Sequence, residues 1–248
     1  MVAVGLLVAA MLAACGTGGV TGAPGPASTP NATAGPRETV TVTDDGWQVL
    51  FDGSATAGLR GYGRPDVPAD RWVIDDGELR TLVGAGIDLI TIDQYEDFEL
   101  EFEWRVAPGG NSGVLYRVGE TADPAWTTGP EYQVLDDDAH PDGREPTTSA
   151  AALYALLAPG PGKRLQPVGS FNSGRIVVRE GHVEHWLNGE LVLEYGWGDA
   201  TLRASIEGSK FAAYGGFMAQ PTGHIVLQHH GEEAAFRTVR VRAIPAGP

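Results

Sequence analysis

From Glu131 to Gly143 the chain reads Glu-Tyr-Gln-Val-Leu-Asp-Asp-Asp-Ala-His-Pro-Asp-Gly, its densest gathering of ionisable groups. A strand at the start of this stretch puts Tyr132 and Val134 on one face and Glu131 with Gln133 on the other, because side chains alternate along an extended backbone. One face packs; the other is left for chemistry. Asp136, Asp137, Asp138, His140 and Asp142 then fall in a loop ended by Pro141 and Gly143, where oxygen and imidazole groups can gather without breaking a ladder. A second strand is expected over Asn111-Ser-Gly-Val-Leu-Tyr-Arg117. With Val114 and Tyr116 in the core, Asn111, Gly113, Leu115 and Arg117 share the outer face, and the glycine leaves room for a ligand. In Gly223 to Gly231, Ile225 and Leu227 fill the core and leave His224, Gln228 and His230 outside. With Arg105 added, these residues offer a carboxylate, amides, guanidiniums and an imidazole around a glycine floor, groups that suit the many hydroxyls of a sugar. Trp126, Tyr154, Phe171 and Trp186 are the rings available to stack on one.

The elements that must hold these residues are short strands. At 248 residues and 42% hydrophobic content the chain can bury one sizeable core, and 35 Gly with 17 Pro favour a turn-rich, all-β architecture. Phe98, Leu100, Phe102 and Trp104 alternate with Glu99, Glu101, Glu103 and Arg105, a half-buried strand with one polar face. Hairpin turns are expected at Asp75-Asp76-Gly77, Glu180-Gly181 and Asn188-Gly189. Thr148 to Leu157, rich in alanine and with Ser149 as its cap, suits a helix, and Asp199 to Gly208 suits another. Repeated short strands with hairpin turns imply a two-sheet sandwich.

A net charge of -15 argues against a nucleic-acid partner, which would need clusters of Lys and Arg. Phosphate loops, nucleophile elbows and His-Glu-x-x-His helices are absent from the sequence, so nucleotide, acyl-transfer and zincin chemistries lose their usual signatures. The single cysteine, Cys15, follows the apolar run from Val2 and the small residues Ala13-Ala14, a pattern that resembles the lipobox of bacterial lipoproteins. The expected organisation is a signal peptide over residues 1–15, a Gly/Ala/Pro/Ser/Thr tether over 16–39 and a jelly-roll domain over 40–248. Lipidation of Cys15 would anchor that domain to the cell membrane, outside the cytoplasm, where a chain with one cysteine has no disulfide to rely on.

Several segments, in order and spacing, resemble the 3-keto-disaccharide hydrolase family: Gly110-Asn-Ser-Gly-Val-Leu-Tyr-Arg117, Glu131-Tyr-Gln-Val-Leu-Asp136, Ala152-Leu-Tyr154, Pro167-Val-Gly-Ser-Phe-Asn172, His185-Trp-Leu-Asn-Gly189, and Gly223 to Gly231 followed by Phe236-Arg237. The resemblance runs from about Gly46 to Val241. The chain departs from the family pattern at Phe171, usually Trp, at His229, usually Asp, and at Thr238, usually Asn. The resemblance implies a concanavalin A-like jelly-roll sandwich that cleaves glycosidic bonds of 3-keto-glucosides and 3-keto-disaccharides. A ketone at C3 acidifies the C2 proton, so a base can remove it and the group on C1 can leave by elimination, with water adding afterwards. On this reading Glu131 or His230 is the base, and Arg117, helped by a divalent cation if one binds, stabilises the enediolate oxygen. Arg105, Asn111, Gln133, Tyr154, Asn172 and Gln228 position hydroxyls. Asp136 and His140 are the candidate metal ligands, although a hard cation needs more oxygens than they supply. A non-catalytic carbohydrate-binding protein on the same sandwich is the competing class. An ordinary glucanase would need a second carboxylate across the cleft, and alternation sets Glu131 and Asp136 on opposite faces.

Overall fold

A computed structural model describes residues 40–121 and 123–245. In chain order its strands are β1 (Thr41–Val42), β2 (Gln48–Phe51), β3 (Leu59–Gly61), β4 (Trp72–Asp75), β5 (Glu78–Thr81), β6 (Leu89–Thr91), β7 (Phe98–Val106), β8 (Asn111–Val118), β9 (Glu131–Leu135), β10 (Asn172–Arg179), β11 (His182–Leu187), β12 (Glu190–Gly196), β13 (His224–Leu227) and β14 (Ala234–Ala243). One α-helix, α1 (Ala200–Glu207), precedes β13 among the described residues. The strands form a two-sheet jelly-roll sandwich. β1, β2, β14, β7, β10, β11 and β12 lie side by side in a nine-stranded sheet, with the β4–β5 hairpin added along β14. β3, β6, β13, β8 and β9 make the second, five-stranded sheet.

Alternation decides what lies between the sheets. Phe98, Leu100, Phe102 and Trp104 of β7 face Val114 and Tyr116 of β8, Tyr132 and Val134 of β9, and Ile225 and Leu227 of β13, all inside one continuous core. The Phe102 and Tyr132 rings meet edge to face with centroids 5.3 Å apart. Burial of each such side chain contributes about 1.5–3 kcal/mol, which is how a chain with one cysteine holds together without cross-links. The three hairpin turns form as expected, each with both central residues in the left-handed region: Asp76 and Gly77, Glu180 and Gly181, Asn188 and Gly189.

The helix expected over Thr148 to Leu157 does not form. Ala151 and Ala155 take positive φ values of 63° and 58°, and the segment lies along β9 instead. Ala151 N–H donates to Gln133 O (2.8 Å), Gln133 N–H to Ala152 O (3.2 Å) and Tyr154 N–H to Glu131 O (3.0 Å). Closing the open edge of a buried strand outweighs the helix propensity of alanine, which is a weak preference. Cys15, the leader and the tether fall outside the described residues.

Candidate active site

Strands β8 and β9 pair so that Leu115 stands opposite Glu131 and Gly113 opposite Gln133. Directly opposed residues share a face, so this register gathers Glu131, Gln133, Gly113 and Asn111 on the outer side of the smaller sheet. Gly113 is there of necessity: a Cβ on it would fall 2.4 Å from Glu131 Oε1. The carboxylate lies flat over the bare backbone and is 6% exposed. Gln228 joins from the neighbouring strand end, its N–H donating to Gly113 O at 2.9 Å, and His230 follows two residues later.

The rest of the cleft comes from segments far away in the chain. Tyr154 arrives on the segment that seals β9, which His185 anchors from the core through Ala151 O at 3.1 Å. Trp126 sits on the 3₁₀ turn Ala125–Thr127, and Lys210 on another, Lys210–Ala213, just after α1. The Lys210 ammonium lies 4.8 Å above the Trp126 ring and 4.6 Å above that of Tyr154, the separations of cation–π contacts. Together Asn111, Trp126, Glu131, Gln133, Tyr154, Lys210, Gln228 and His230 line a cleft of about 100 Å³. That volume suits the reacting edge of a sugar ring, with the remainder projecting outward.

The electrostatics are set by burial. Desolvation is the largest influence on Glu131 and raises its pKa to about 8; Asp88 and Asp142 push the same way, while Lys210 and the Gln228 amide oppose them. Asp88 is itself raised to about 6, mainly by burial, behind the cleft, where it accepts the His229 N–H at 2.8 Å. Desolvation likewise carries the Tyr154 hydroxyl up to about 12, and that hydroxyl lies 3.4 Å from Asp142 Oδ2. Asn111 Oδ1 is buried without a partner, an acceptor left for something the cleft admits. Gln133 is partly committed, its Nε2 donating to Thr148 O at 3.2 Å. His230 Nδ1 lies 2.7 Å from Glu232 Oε2, and its ring centroid is 6.3 Å from that of His140.

Other residues assigned to the site from sequence stand elsewhere. Arg117 is the most consequential correction. β8 and β13 slip register between His224 and Val226, so Tyr116 and Arg117 together oppose a single residue, and Arg117 takes a φ of 49°. Such a bulge re-aims a side chain. The guanidinium turns from the outer face to donate to Glu96 O at 2.8 and 3.0 Å, and covers the Trp197 ring at 4.4 Å. Arg105 belongs to the outer face of the other sheet, paired with Glu78 (2.5 Å) and Glu233 (3.5 Å). Asn172 Oδ1 accepts from Gln166 N–H and Asn188 Nδ2, which pins a loop beside a separate cavity of about 420 Å³ at the end of the sandwich.

The proposed metal ligands do not fit a cation. Asp136 already accepts N–H groups from Gly109, Asp138 and Ala139, and His140 Nδ1 accepts Asp142 N–H, so both are spent on shaping the loop. Among the described residues no group of three or more His, Cys, Asp or Glu side chains is arranged to hold a metal. Lys210 was missed by the sequence reading. Nothing in Ser209-Lys210-Phe211 marks it, because its partners are separated from it by dozens of residues.

The strands and the cleft define a jelly-roll sandwich with a polar cleft on its smaller sheet. An endo-beta-1,3(4)-glucanase with a TM-score of 0.51, 9% identical and covering 86% of this chain and all of its own, shares the fold. Residues 46–242 match the family described as the 3-keto-alpha-glucoside-1,2-lyase-like domain, and the chain belongs to that family. A 3-keto-disaccharide hydrolase from Bacteroides thetaiotaomicron is 34% identical over 82% of this chain and 80% of its own length. A crystal structure of a candidate glycosyl hydrolase from Parabacteroides distasonis superposes with a TM-score of 0.75 at 28% identity, over 84% of this chain and all of that one.

Proposed function

We propose that the protein cleaves the glycosidic bond of 3-keto-glucosides and 3-keto-disaccharides by removing the C2 proton, expelling the aglycone from C1 and hydrating the resulting double bond. The observation that carries this reading is that, among the described residues, Glu131 is the single carboxylate lining the cleft. Direct glycoside hydrolysis works with a pair of carboxyl groups flanking the bond, whereas abstraction of an acidified C–H proton needs one strong base. A carboxylate raised to about 8 is such a base, and burial keeps the captured proton from exchanging readily with water. The same proton can then be returned to C2 as water adds to C1. The ammonium of Lys210, held by the aromatic rings, supplies the cation for the enediolate oxygen at C3, the task first assigned to Arg117. Asn111 and Gln228 are left to hold hydroxyls. The family membership and the Bacteroides relative support the substrate class. The lipobox-like sequence at Cys15 supports attachment to the outside of the cell membrane.

The test is to incubate the protein with a 3-keto-glucoside and with its unoxidised parent, and to repeat both with Glu131→Gln. Cleavage of the keto form alone, abolished in the variant while binding persists, is the expected result. Comparable cleavage of the unoxidised sugar would overturn the mechanism, and retained binding with no cleavage of either sugar would identify a lectin.

A further inference from the structure

We infer that His230, oriented by Glu232, protonates the oxygen of the departing aglycone and then deprotonates the water that replaces it. This rests on the elimination reading above and assigns the half of the reaction that Glu131 leaves undone. A base on the cleft floor accounts for the C2 proton. The C1–O bond still has to break, and an alkoxide is a poor leaving group unless a proton reaches it as it departs.

The position of the two groups separates their tasks. Glu131 is buried on the floor, whereas the His230 side chain is 46% exposed. The aglycone must leave toward solvent, so its oxygen passes the rim and not the floor. Among the described residues His230 is the one imidazole lining the cleft. Its Nδ1 lies 2.7 Å from Glu232 Oε2; an Nδ1–H donated there fixes the tautomer and leaves Nε2 as the group that exchanges protons with a ligand. A carboxylate in that position also holds the ring in place while Nε2 gives up and takes back its proton. The other proton carriers nearby are engaged. The Tyr154 hydroxyl is directed at Asp142, the Lys210 ammonium is held over aromatic rings, and His140 Nδ1 accepts the Asp142 N–H.

The atoms balance over the two steps. In elimination the C2–H electron pair becomes the C1=C2 bond as Glu131 takes the proton; the C1–O pair leaves with the aglycone, and His230 Nε2–H neutralises it. The enzyme now holds a protonated Glu131 and a neutral His230. In hydration His230 Nε2 takes a proton from water as the oxygen adds to C1, and Glu131 returns its proton to C2. Both residues end as they began, and the sum is hydrolysis.

Leaving-group dependence tests this. Methyl and 4-nitrophenyl 3-keto-glucosides of the same anomeric form differ in need: the methoxide oxygen requires a proton, while nitrophenolate departs as an anion. His230→Gln is expected to lose on the order of 10²-fold or more in kcat on the methyl substrate and far less on the nitrophenyl one. It should also release the unsaturated ketone in place of the hydrated sugar. Glu232→Gln should shift both readouts in the same direction by a smaller factor, and because Glu232 sits on an exposed loop it keeps the test valid if the first variant folds poorly. Equal losses on both substrates, or no loss on either, would overturn the assignment while leaving elimination by Glu131 intact. Wild-type protein that cleaves neither keto substrate would sink the elimination reading and this assignment together.

Discussion

On the outer face of the nine-stranded sheet, Glu99, Glu101 and Glu103 of β7 stand opposite Arg242, Arg240 and Arg237 of β14, closing ion pairs at 2.5, 2.6 and 3.0 Å. On the outer face of the five-stranded sheet, Glu131 is equally central to its strand but is buried, lifted to about 8, and neighboured by an Asn111 oxygen without a partner. Both faces look alike in sequence: alternating strands with acidic and amide side chains on one side. The difference lies in whether the charges are answered by the protein. A face whose carboxylates meet arginines in register needs no ligand, while one that desolvates a carboxylate and strands an acceptor is built around something absent.

That contrast can be broken or sharpened by substitution. The largest effect is expected from Glu131→Gln: loss of turnover on a 3-keto-glucoside by about 10³-fold or more, with affinity by calorimetry retained. Gly113→Ala should come next. The added Cβ would meet Oε1, Cδ and Cγ of the buried Glu131 side chain at 2.4, 2.7 and 2.8 Å and displace its carboxyl, so kcat should fall about 10²-fold and the melting temperature should drop as well. Lys210→Met should cost about 10²-fold in kcat if the ammonium meets the enediolate, and the activity of a Lys210→Arg variant would show how much of that is charge alone.

The pH dependence gives a subtler measure. The Glu131 pKa is higher in the folded protein, about 8, than its ordinary value of 4.5, so the folded state binds the extra proton between those values. The stability it contributes is therefore complete below about pH 4.5 and is lost as pH rises to 8. Asp88, raised to about 6, has the same sign over a lower window, so the fall between about pH 6 and 8 belongs to Glu131. Thermal melts of Glu131→Gln should be flatter across that interval, whereas the wild-type kcat/KM on the 4-nitrophenyl 3-keto-glucoside, whose leaving group needs no proton, should climb through it as the base ionises. The smallest effect is expected on the other sheet. Arg240→Ala removes a half-exposed ion pair with Glu101 and should change stability by less than about 1 kcal/mol and turnover not at all. A large catalytic loss there would abolish the distinction between the two faces.

The placement of Glu131 and Gln133 opposite Tyr132 and Val134 was legible in the sequence because period-two alternation is a local property of an extended backbone. Asn111, Gln228 and His230 followed from the same rule, and the structure brings them to one cleft, whereas His224, expected on the same outer face, is buried against Thr91 and Gln94. The rule failed where its premise failed. Arg117 sits two residues past the last regular pair, at Leu115, inside a bulge opposite the stretch from His224 to Val226 that carries its side chain to Glu96 and Trp197. Alternation put Arg105 on a polar face correctly but could not say which of two sheets owned that face.

What the sequence determined, then, was whatever depends on neighbours a few residues apart: the strands, the left-handed pairs at Asp76-Gly77, Glu180-Gly181 and Asn188-Gly189, the apolar stripes, and the family to which they add up. Only the tertiary structure decided what depends on distant partners. It laid an alanine-rich segment along the edge of β9 in place of a helix, carried Lys210 over Trp126 and Tyr154, and lifted the Glu131 carboxyl by removing water from it. The reason is physical: hydrogen bonding of a strand edge, cation–π contact and desolvation are all set by what packs nearby in space, and no window along the chain contains that information.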